Sequence, residues 1–473
     1  MARARYSSTI LFGLGILFLL TGCGPEEPPG AAPDVPATEQ VANTAEQAAS
    51  TAEQAAGEPF PAATLDRIAE DYVHLVLAMD EHDPGYVDAY IGSQEVAEAA
   101  PGRFPTLDDI RTGADELLRD VRTLEPSEDR LATLRTTALE NQLISLSARI
   151  DVVSGADLPF DEETRLVFGV VAPDHDDAHY ESILEELDSI LPGDGDLGER
   201  AIAFREQFVI PPDRMSEVFD AAISECRRRT ADYIDLPPGE DFTLEYVTDQ
   251  PWSGYNWFQG DAFSLIQINT DLPRHIDRAI DLGCHEGYPG HHTFGSLVER
   301  ELYRGRGWIE FSVYPLYSPT ALLSEGSANY GIELAFPGQE RIDYEVEVLF
   351  PLADLDAAQA ERYYQYLNLR EELGYARIDA ARDYLDGRKT RSETVDWLQR
   401  IQLISAEEAE QSLDFTDTYR TYVINYSLGQ DLVGAYVERE SGGVPARRWA
   451  LFEELLTEPF SVAELVGSAE SVQ

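Results

Sequence analysis

From Leu65 onward, apolar residues recur at the spacing of helix faces. Leu65, Ile68, Tyr72 and Leu75 fall on one side, as do Leu117, Leu118, Val121 and Leu124, and again Leu139, Leu143 and Leu146. Asp83-Pro84-Gly85, Pro101-Gly102 and Pro192-Gly193 are turn signals between such runs. The period changes over residues 241–271. Phe242, Leu244 and Tyr246 alternate with Thr243 and Glu245, and Phe263, Leu265, Ile266 and Ile268 lead into Asn269. This stretch predicts a strand pair around an aromatic, Gly-containing loop at 251–257. After Pro273 the helical text resumes and continues to about Leu465. No strand–helix alternation appears. The expected fold is therefore mostly α: a single large helical domain over residues 62–473 with a small antiparallel β-sheet.

The first 61 residues follow neither pattern. Arg3 and Arg5 precede an apolar run at 10–20, which is shorter than the about 20 residues a membrane span needs. Leu20-Thr21-Gly22-Cys23 follows, and it resembles the lipobox of bacterial lipoproteins. The resemblance implies that residues 1–22 are a lipoprotein signal peptide and that Cys23 carries the lipid anchor to a membrane. Gly24, rather than Asp, follows the cysteine, which by the usual Gram-negative sorting rule implies the outer membrane of the cell envelope. Residues 23–61 are rich in Pro, Ala, Glu and Gln, with an imperfect heptad duplication at 44–49 and 51–56. They lack the large apolar side chains needed to offset ordering entropy, so a flexible tether is expected.

Charge narrows the partners. The 473 residues carry 35 Lys+Arg against 88 Asp+Glu, a formal net charge of −53. Nucleic acid is excluded as a partner, because its binders need a basic stripe to displace phosphate counterions. A polybasic dock on anionic lipid is excluded on the same ground. Disorder does not follow, since 43% of residues are hydrophobic and 10% aromatic. Lys389 is the only lysine. An acidic, lysine-poor surface suits a protein working in concentrated salt, and equally an ordinary acidic secreted protein. A lipobox would place the domain outside the cytoplasm, which favours external salinity as the explanation. Beyond Cys23, two cysteines remain, Cys226 and Cys284. An oxidising compartment permits a disulfide between them, but the expected role is buried packing.

Candidate chemistry concentrates in Cys284-His285-Glu286-Gly287-Tyr288-Pro289-Gly290-His291-His292, where three of the eight histidines fall together. Imidazoles can hold a zinc ion while an adjacent carboxylate takes a proton from water. The one-turn spacing of His-Glu-x-x-His is absent, because Pro289 stands at the fourth position after His285. On an unbroken helix His292 would lie about 10 Å along the axis from His285. Ligands about 2 Å from one ion cannot be so far apart. A metal site therefore requires the chain to leave the helix at Pro289-Gly290. The alternative is a helix end with solvated histidines. His175-Asp176-Asp177-Ala178-His179 has true one-turn spacing and is a rival metal site, but after Pro173-Asp174 it also reads as a plain helix start. His74, His82 and His275 read as packing or surface residues, and Arg227-Arg228-Arg229 as a solvated helix face.

The segment resembles the His-Glu-x-x-Pro-Gly-His signature of a large bacterial family, domain of unknown function 885. That family is similar in architecture to glutamate-ligand zinc peptidases of the thermostable-carboxypeptidase and angiotensin-converting-enzyme type. Its Glu-Gly-Trp-Ala-x-Tyr signature appears here as Glu325-Gly326-Ser327-Ala328-Asn329-Tyr330, and its late Tyr-x-x-Gly as Tyr426-Ser427-Leu428-Gly429. The resemblance implies a zinc-peptidase-like fold, with His285, His291 and Glu325 as ligands of Zn2+ and Glu286 as the base. Ser327 in place of tryptophan and Phe294 in place of glutamine touch neither ligands nor base, and bear on substrate preference.

The function implied is a lipid-anchored zinc metallopeptidase, a hydrolase of peptide substrates. Its oxyanion needs a donor besides the metal, for which Tyr426, Tyr422, Arg420 and His292 are candidates. The strand ending at Ile268-Asn269 offers an edge on which an extended peptide could pair. A tethered lipoprotein that binds metal without catalysis, or a zinc hydrolase of a non-peptide amide or ester, would use the same residues.

Overall fold

The computed structural model describes residues 64–467, so the lipobox, Cys23 and the tether lie outside the described residues. Within them the chain is mostly helical, with two small sheets. Helix α1 (Leu65–Asp80) starts at Thr64, whose side chain accepts the Arg67 N–H, and it buries the Ile68, Tyr72 and Leu75 face. Against it, α2 (Arg130–Val153) buries Leu139, Leu143 and Leu146. A second core gathers around α3 (Met215–Ala231) and α4 (Asp277–Glu286). The Pro101-Gly102 turn signal is corrected: both residues lie in the last turn of a helix over Gln94–Arg103, where little helix remains for the proline to disrupt.

Two strands too short for their alternation to register, β1 (Val87–Tyr90) and Val313–Pro315, form an antiparallel ribbon. Residues 241–271 form three strands rather than a pair: β2 (Asp241–Val247), β3 (Gly254–Gly260) and β4 (Phe263–Asn269), in the order β2-β4-β3. The β3–β4 hairpin turns at Asp261 and Ala262, both at positive φ (54° and 53°). Their backbone amides donate to the buried Glu299 carboxylate at 3.0 and 2.9 Å. Strand β2 instead runs parallel to β4, Asp241 opposite Phe263 and Val247 opposite Asn269. The expected antiparallel sheet is thus mixed, because alternation marks a strand but not its direction. The 251–257 segment expected as a loop also supplies the start of β3. Since β4 is the central strand, Ile268-Asn269 has no free edge, and the expected peptide docking on that strand is withdrawn.

Helices α3 and α4 are joined by a disulfide between Cys226 and Cys284, both fully buried. This corrects the packing role expected for these cysteines, whose 58-residue separation conceals their proximity. Closing a loop of that length removes about 4 kcal/mol of unfolded-state entropy in the chain-entropy model. Urea unfolding of Cys226→Ser/Cys284→Ser is expected to show that loss, and reductant is expected to lower the parent to the same midpoint while leaving the variant unmoved.

Beyond α4, α5 (His291–Leu297), α6 (Pro319–Ala335), α7 (Ala360–Glu371), α8 (Ala376–Leu385) and α9 (Ile424–Ser441) complete the surroundings of a cavity of about 1570 Å³. No described helix is long and apolar enough to cross a membrane.

Candidate metal centre

Helix α4 ends at Glu286, and α5 begins at His291. Between them the chain folds back on the helix end through Gly287, a cis Tyr288–Pro289 peptide and Gly290. A Cβ on Gly290 would stand 1.8 Å from the His285 carbonyl oxygen, so only glycine permits this approach. The reversal brings the His285 and His291 rings to 4.6 Å between centroids, with their Nε2 atoms 3.1 Å apart. Helix α6 supplies Glu325, whose Oε2 lies 3.1 Å from His285 Nε2 and 3.6 Å from His291 Nε2. These three residues bring their ligand atoms within 4.8 Å of one another.

The surrounding hydrogen bonds define which atoms face inward. Asn329 Nδ2 donates to the Tyr426 carbonyl at 3.3 Å, which turns Oδ1 toward His285 Nδ1 at 2.8 Å. An amide oxygen only accepts, so His285 carries its proton on Nδ1 and presents a bare Nε2. His291 Nδ1 stands 3.1 Å from Ser324 Oγ, a hydroxyl that can accept from it and so leave Nε2 bare as well. Tyr422 donates to Glu325 Oε1 at 2.8 Å, while Oε2 is buried and receives no hydrogen bond. Three acceptors thus face one another in a buried site with no donor among them, an arrangement that a cation resolves. Two imidazoles and one carboxylate also leave open positions, as catalytic zinc sites do. The residues fit the metal.

Two motif glycines set the height of Glu325. Helices α6 and α9 cross at Gly326 and Gly429, where a Cβ on Gly326 would meet the Gly429 carbonyl oxygen at 2.3 Å. A Cβ on Gly429 would in turn meet the Leu322 carbonyl oxygen at 2.8 Å. The close crossing brings Tyr422, from the turn before α9, beside Glu325, and Tyr426, from the start of α9, beside His285. Gly326→Ala is expected to force the helices apart, costing about 1–3 kcal/mol of stability by overpacking. It should also weaken zinc binding, and thermal melts with and without zinc measure both effects.

Glu286 is 4% exposed, its backbone carbonyl held by Asn256 Nδ2 at 2.6 Å. Its carboxylate accepts no hydrogen bond from a described residue and lines the cavity. Strand β3 passes it at Gly254, where a Cβ would stand 2.6 Å from Oε1. Burial, opposed by His285 and reinforced by Glu325, pushes the Glu286 carboxyl up to about 7. Asp88 of β1 also lines the cavity and accepts from Tyr255 Oη at 2.8 Å. Burial, partly offset by that bond, pushes it up to about 6. Nothing in the sequence around Asp88 signals this position. Asn329 could have been found from the helix spacing alone, four residues after Glu325 on the same face.

Of the oxyanion candidates, Tyr426 lies in the cavity, its ring 6.3 Å from that of His285. Tyr422 is engaged in holding Glu325. The other two are corrected. His292 is fully buried on the opposite side of α5, with Nδ1 2.8 Å from Ser264 Oγ and Nε2 3.1 Å from Glu240 Oε2. On a helix, adjacent residues diverge by about 100°, so His292 cannot share the direction of His291. Arg420 is committed to Glu163 through Nε and Nη2 and is absent from the cavity lining. The rival pair behaves as a helix start. Asp176 accepts the His179 N–H, the His175 and His179 rings stack at 4.6 Å, and no metal-binding trio forms there among the described residues. Arg227, Arg228 and Arg229 are likewise ion-paired, to Glu240, Glu225 and Glu340, rather than simply solvated.

No family model matches the chain, and no curated protein is similar to it. Among solved structures it is similar to a candidate lipoprotein from Colwellia psychrerythraea, at 16% identity and a TM-score of 0.48, over 78% of this chain and 68% of that one. It is also similar to a candidate lipoprotein of unknown function from Shewanella oneidensis, at 14% identity and a TM-score of 0.43, over 90% of this chain and 91% of the other.

Proposed function

We propose that this protein is a zinc-dependent metallopeptidase, anchored through lipid at Cys23 and acting on peptides outside the cytoplasm. The observation that carries the proposal is the set of inward-facing acceptors, His285 Nε2, His291 Nε2 and Glu325 Oε2, beside the free Glu286 carboxylate in one cavity. A bound zinc ion would polarise the scissile carbonyl and make water acidic enough to deprotonate near neutral pH. The chain's own residues do the rest. Glu286 accepts a proton from the attacking water as the new C–O bond forms, then returns it to the leaving amine nitrogen as the C–N bond breaks. A carboxyl raised towards neutrality suits both halves of that transfer. Tyr426, whose ring lies 6.3 Å from that of His285 in the same cavity, would be the donor for the developing oxyanion. The anchor reading agrees with the descriptions of the two similar structures.

The test is metal content followed by turnover. Purified protein is expected to hold zinc in a one-to-one ratio and to cleave members of a mixed peptide library, with cleavage lost on chelation and restored by zinc. Properly folded protein that takes up no zinc would overturn the reading.

A further inference from the structure

The cavity that holds the candidate metal centre also holds a group of arginines for which the metal chemistry has no use. Arg274, Arg278, Arg370 and Arg377 all line it. In a chain with 88 acids to 35 bases, nearly every arginine has an acid to pair with, so one without a partner carries information. The guanidinium group of neither Arg370 nor Arg377 has a carboxylate oxygen within 4.0 Å or a hydrogen bond to a described residue, and the Nε of each is buried. Arg274 is 6% exposed. Its Nε donates to the Asn269 carbonyl at 2.6 Å, while its Nη2 is buried without a partner.

The neighbouring acids act on this charge, but none of them pairs with Arg370 or Arg377: Asp277 accepts from Tyr363 at 2.5 Å. Asp281 is shared between Arg278 at 2.8 Å and Arg341 at 2.7 Å, and Glu408 is paired with Arg205 at 3.1 Å. Glu333 and Glu371 also line the cavity, but both are exposed, both accept from Gln430 Nε2 (2.7 and 3.4 Å), and neither carboxylate comes within 4.0 Å of the Arg370 or Arg377 guanidinium. His275 adds no charge, since burial and Arg205 push it down to about 4. Burial also lowers Arg370 and Arg377, and the arginines disfavour one another: Arg205 acts on Arg370, and Arg278 and Arg370 act on Arg377. A guanidinium nevertheless stays protonated at any ordinary pH. Arg278, Arg370 and Arg377 are half-buried, and guanidinium groups that face a cavity without a carboxylate of their own, as those of Arg370 and Arg377 do, are suited to take the anion of a ligand.

We infer that Arg278, Arg370 and Arg377, with Arg274 behind them, form a carboxylate-binding subsite that receives the anionic end of the substrate. Guanidinium forks match a carboxylate in two-point geometry, which a lysine would not. Arg278 lies seven residues before His285 on α4, on the same face and about 10 Å along the axis. An extended peptide covers about 3.3–3.6 Å per residue, so the carboxylate would sit two to three residues beyond the bond at the metal. That assignment of distance rests on the peptidase reading, whereas the anion site does not. Arg377 faces the Phe415 ring at 5.6 Å, and Phe415 in turn packs against Tyr426, so the subsite is continuous with the metal centre. Against the field of a chain at −53, an anionic ligand needs such local positive charge to enter.

The experiment is calorimetric binding to the full-length protein carrying Glu286→Gln, which prevents turnover, in zinc-loaded and zinc-free forms. The probes are N-acetyl-trialanine, its C-terminal amide, and N-acetyl-Ala-Ala-Glu amide. The free acid is expected to bind at least tenfold more tightly than the amide, and Arg370→Gln/Arg377→Gln to erase that preference. The third probe shows whether a side-chain carboxylate is accepted as well as a terminal one. Ligand-free Arg377→Gln is expected to melt at or above the parent temperature, because the substitution removes an unpaired cation; a purely structural arginine would lower it. Equal binding of all three probes, no binding of any, or a preference that survives the double variant would overturn the subsite. A carboxylate preference in protein that neither retains zinc nor cleaves peptides would leave the subsite standing and remove the peptidase reading.

Discussion

Glu286→Gln is expected to lower turnover by about 10²–10⁴-fold while leaving zinc content and fold intact. The amide keeps the shape of the carboxylate but cannot accept the proton that water must lose. Nothing structural depends on that proton. The Glu286 carboxylate accepts no hydrogen bond from a described residue, and the bond that fixes the residue runs from Asn256 to its backbone carbonyl. Removing the charge also relieves a buried carboxyl whose ionisation is opposed by burial and by Glu325. The melting temperature should therefore hold or rise slightly as activity falls. The check is single-turnover hydrolysis beside zinc analysis and a thermal melt on the same preparation. Unchanged turnover in a zinc-loaded variant would remove Glu286 as the proton carrier. The comparison with Tyr426→Phe is informative, because losing one oxyanion donor costs about 10²–10³-fold and should act on kcat rather than on zinc.

The elements that could be read from the sequence were those whose evidence is local. The Ile68, Tyr72 and Leu75 stripe is a helix face because period 3.6 is a property of neighbouring residues, and the structure buries that stripe. The break around Pro289-Gly290 is local too, although the helix ends at Glu286, a little ahead of the proline, and the next begins at His291. Strand direction in β2, the Cys226–Cys284 bond and the place of Asp88 all depend on what distant segments bring alongside, and no spacing encodes that. His292 shows the limit within a motif. Chemically it equals His291, and only the direction of the first turn of α5 separates a residue facing the cavity from one bonded to Ser264 and Glu240. The motif glycines gain a physical meaning from the structure: Gly326 and Gly429, in separate signatures, are the two faces of one helix crossing. The arginines were invisible as a group, because Arg274 and Arg278 lie in one stretch, Arg370 and Arg377 in another about 90 residues later, and no spacing links the two.

Glu325→Gln is expected to separate the metal from the fold and to reverse the order of stability with and without zinc. The carboxylate is the only anion among the three candidate ligands, and the amide that replaces it is a weak, neutral donor. Substitutions one shell further out cost 10–100-fold in affinity, so loss of the ligand itself should exceed about 10²-fold. Tyr422→Phe, which removes only the bond to Glu325 Oε1, provides that smaller reference on the same residue. For the parent, zinc at 100 times its Kd should add about 2.7 kcal/mol of stability, and the variant should gain little at the same concentration. Without zinc the order changes. Parent Glu325 then leaves a buried Oε2 with no hydrogen bond, facing the bare Nε2 of His285 at 3.1 Å, whereas glutamine can turn a donor into that position. Chelated Glu325→Gln should therefore melt at or above the chelated parent, and the zinc-supplemented variant below the zinc-supplemented parent. Melts that fall equally with and without zinc would mean that Glu325 serves the packing of α6 against α9 rather than a metal.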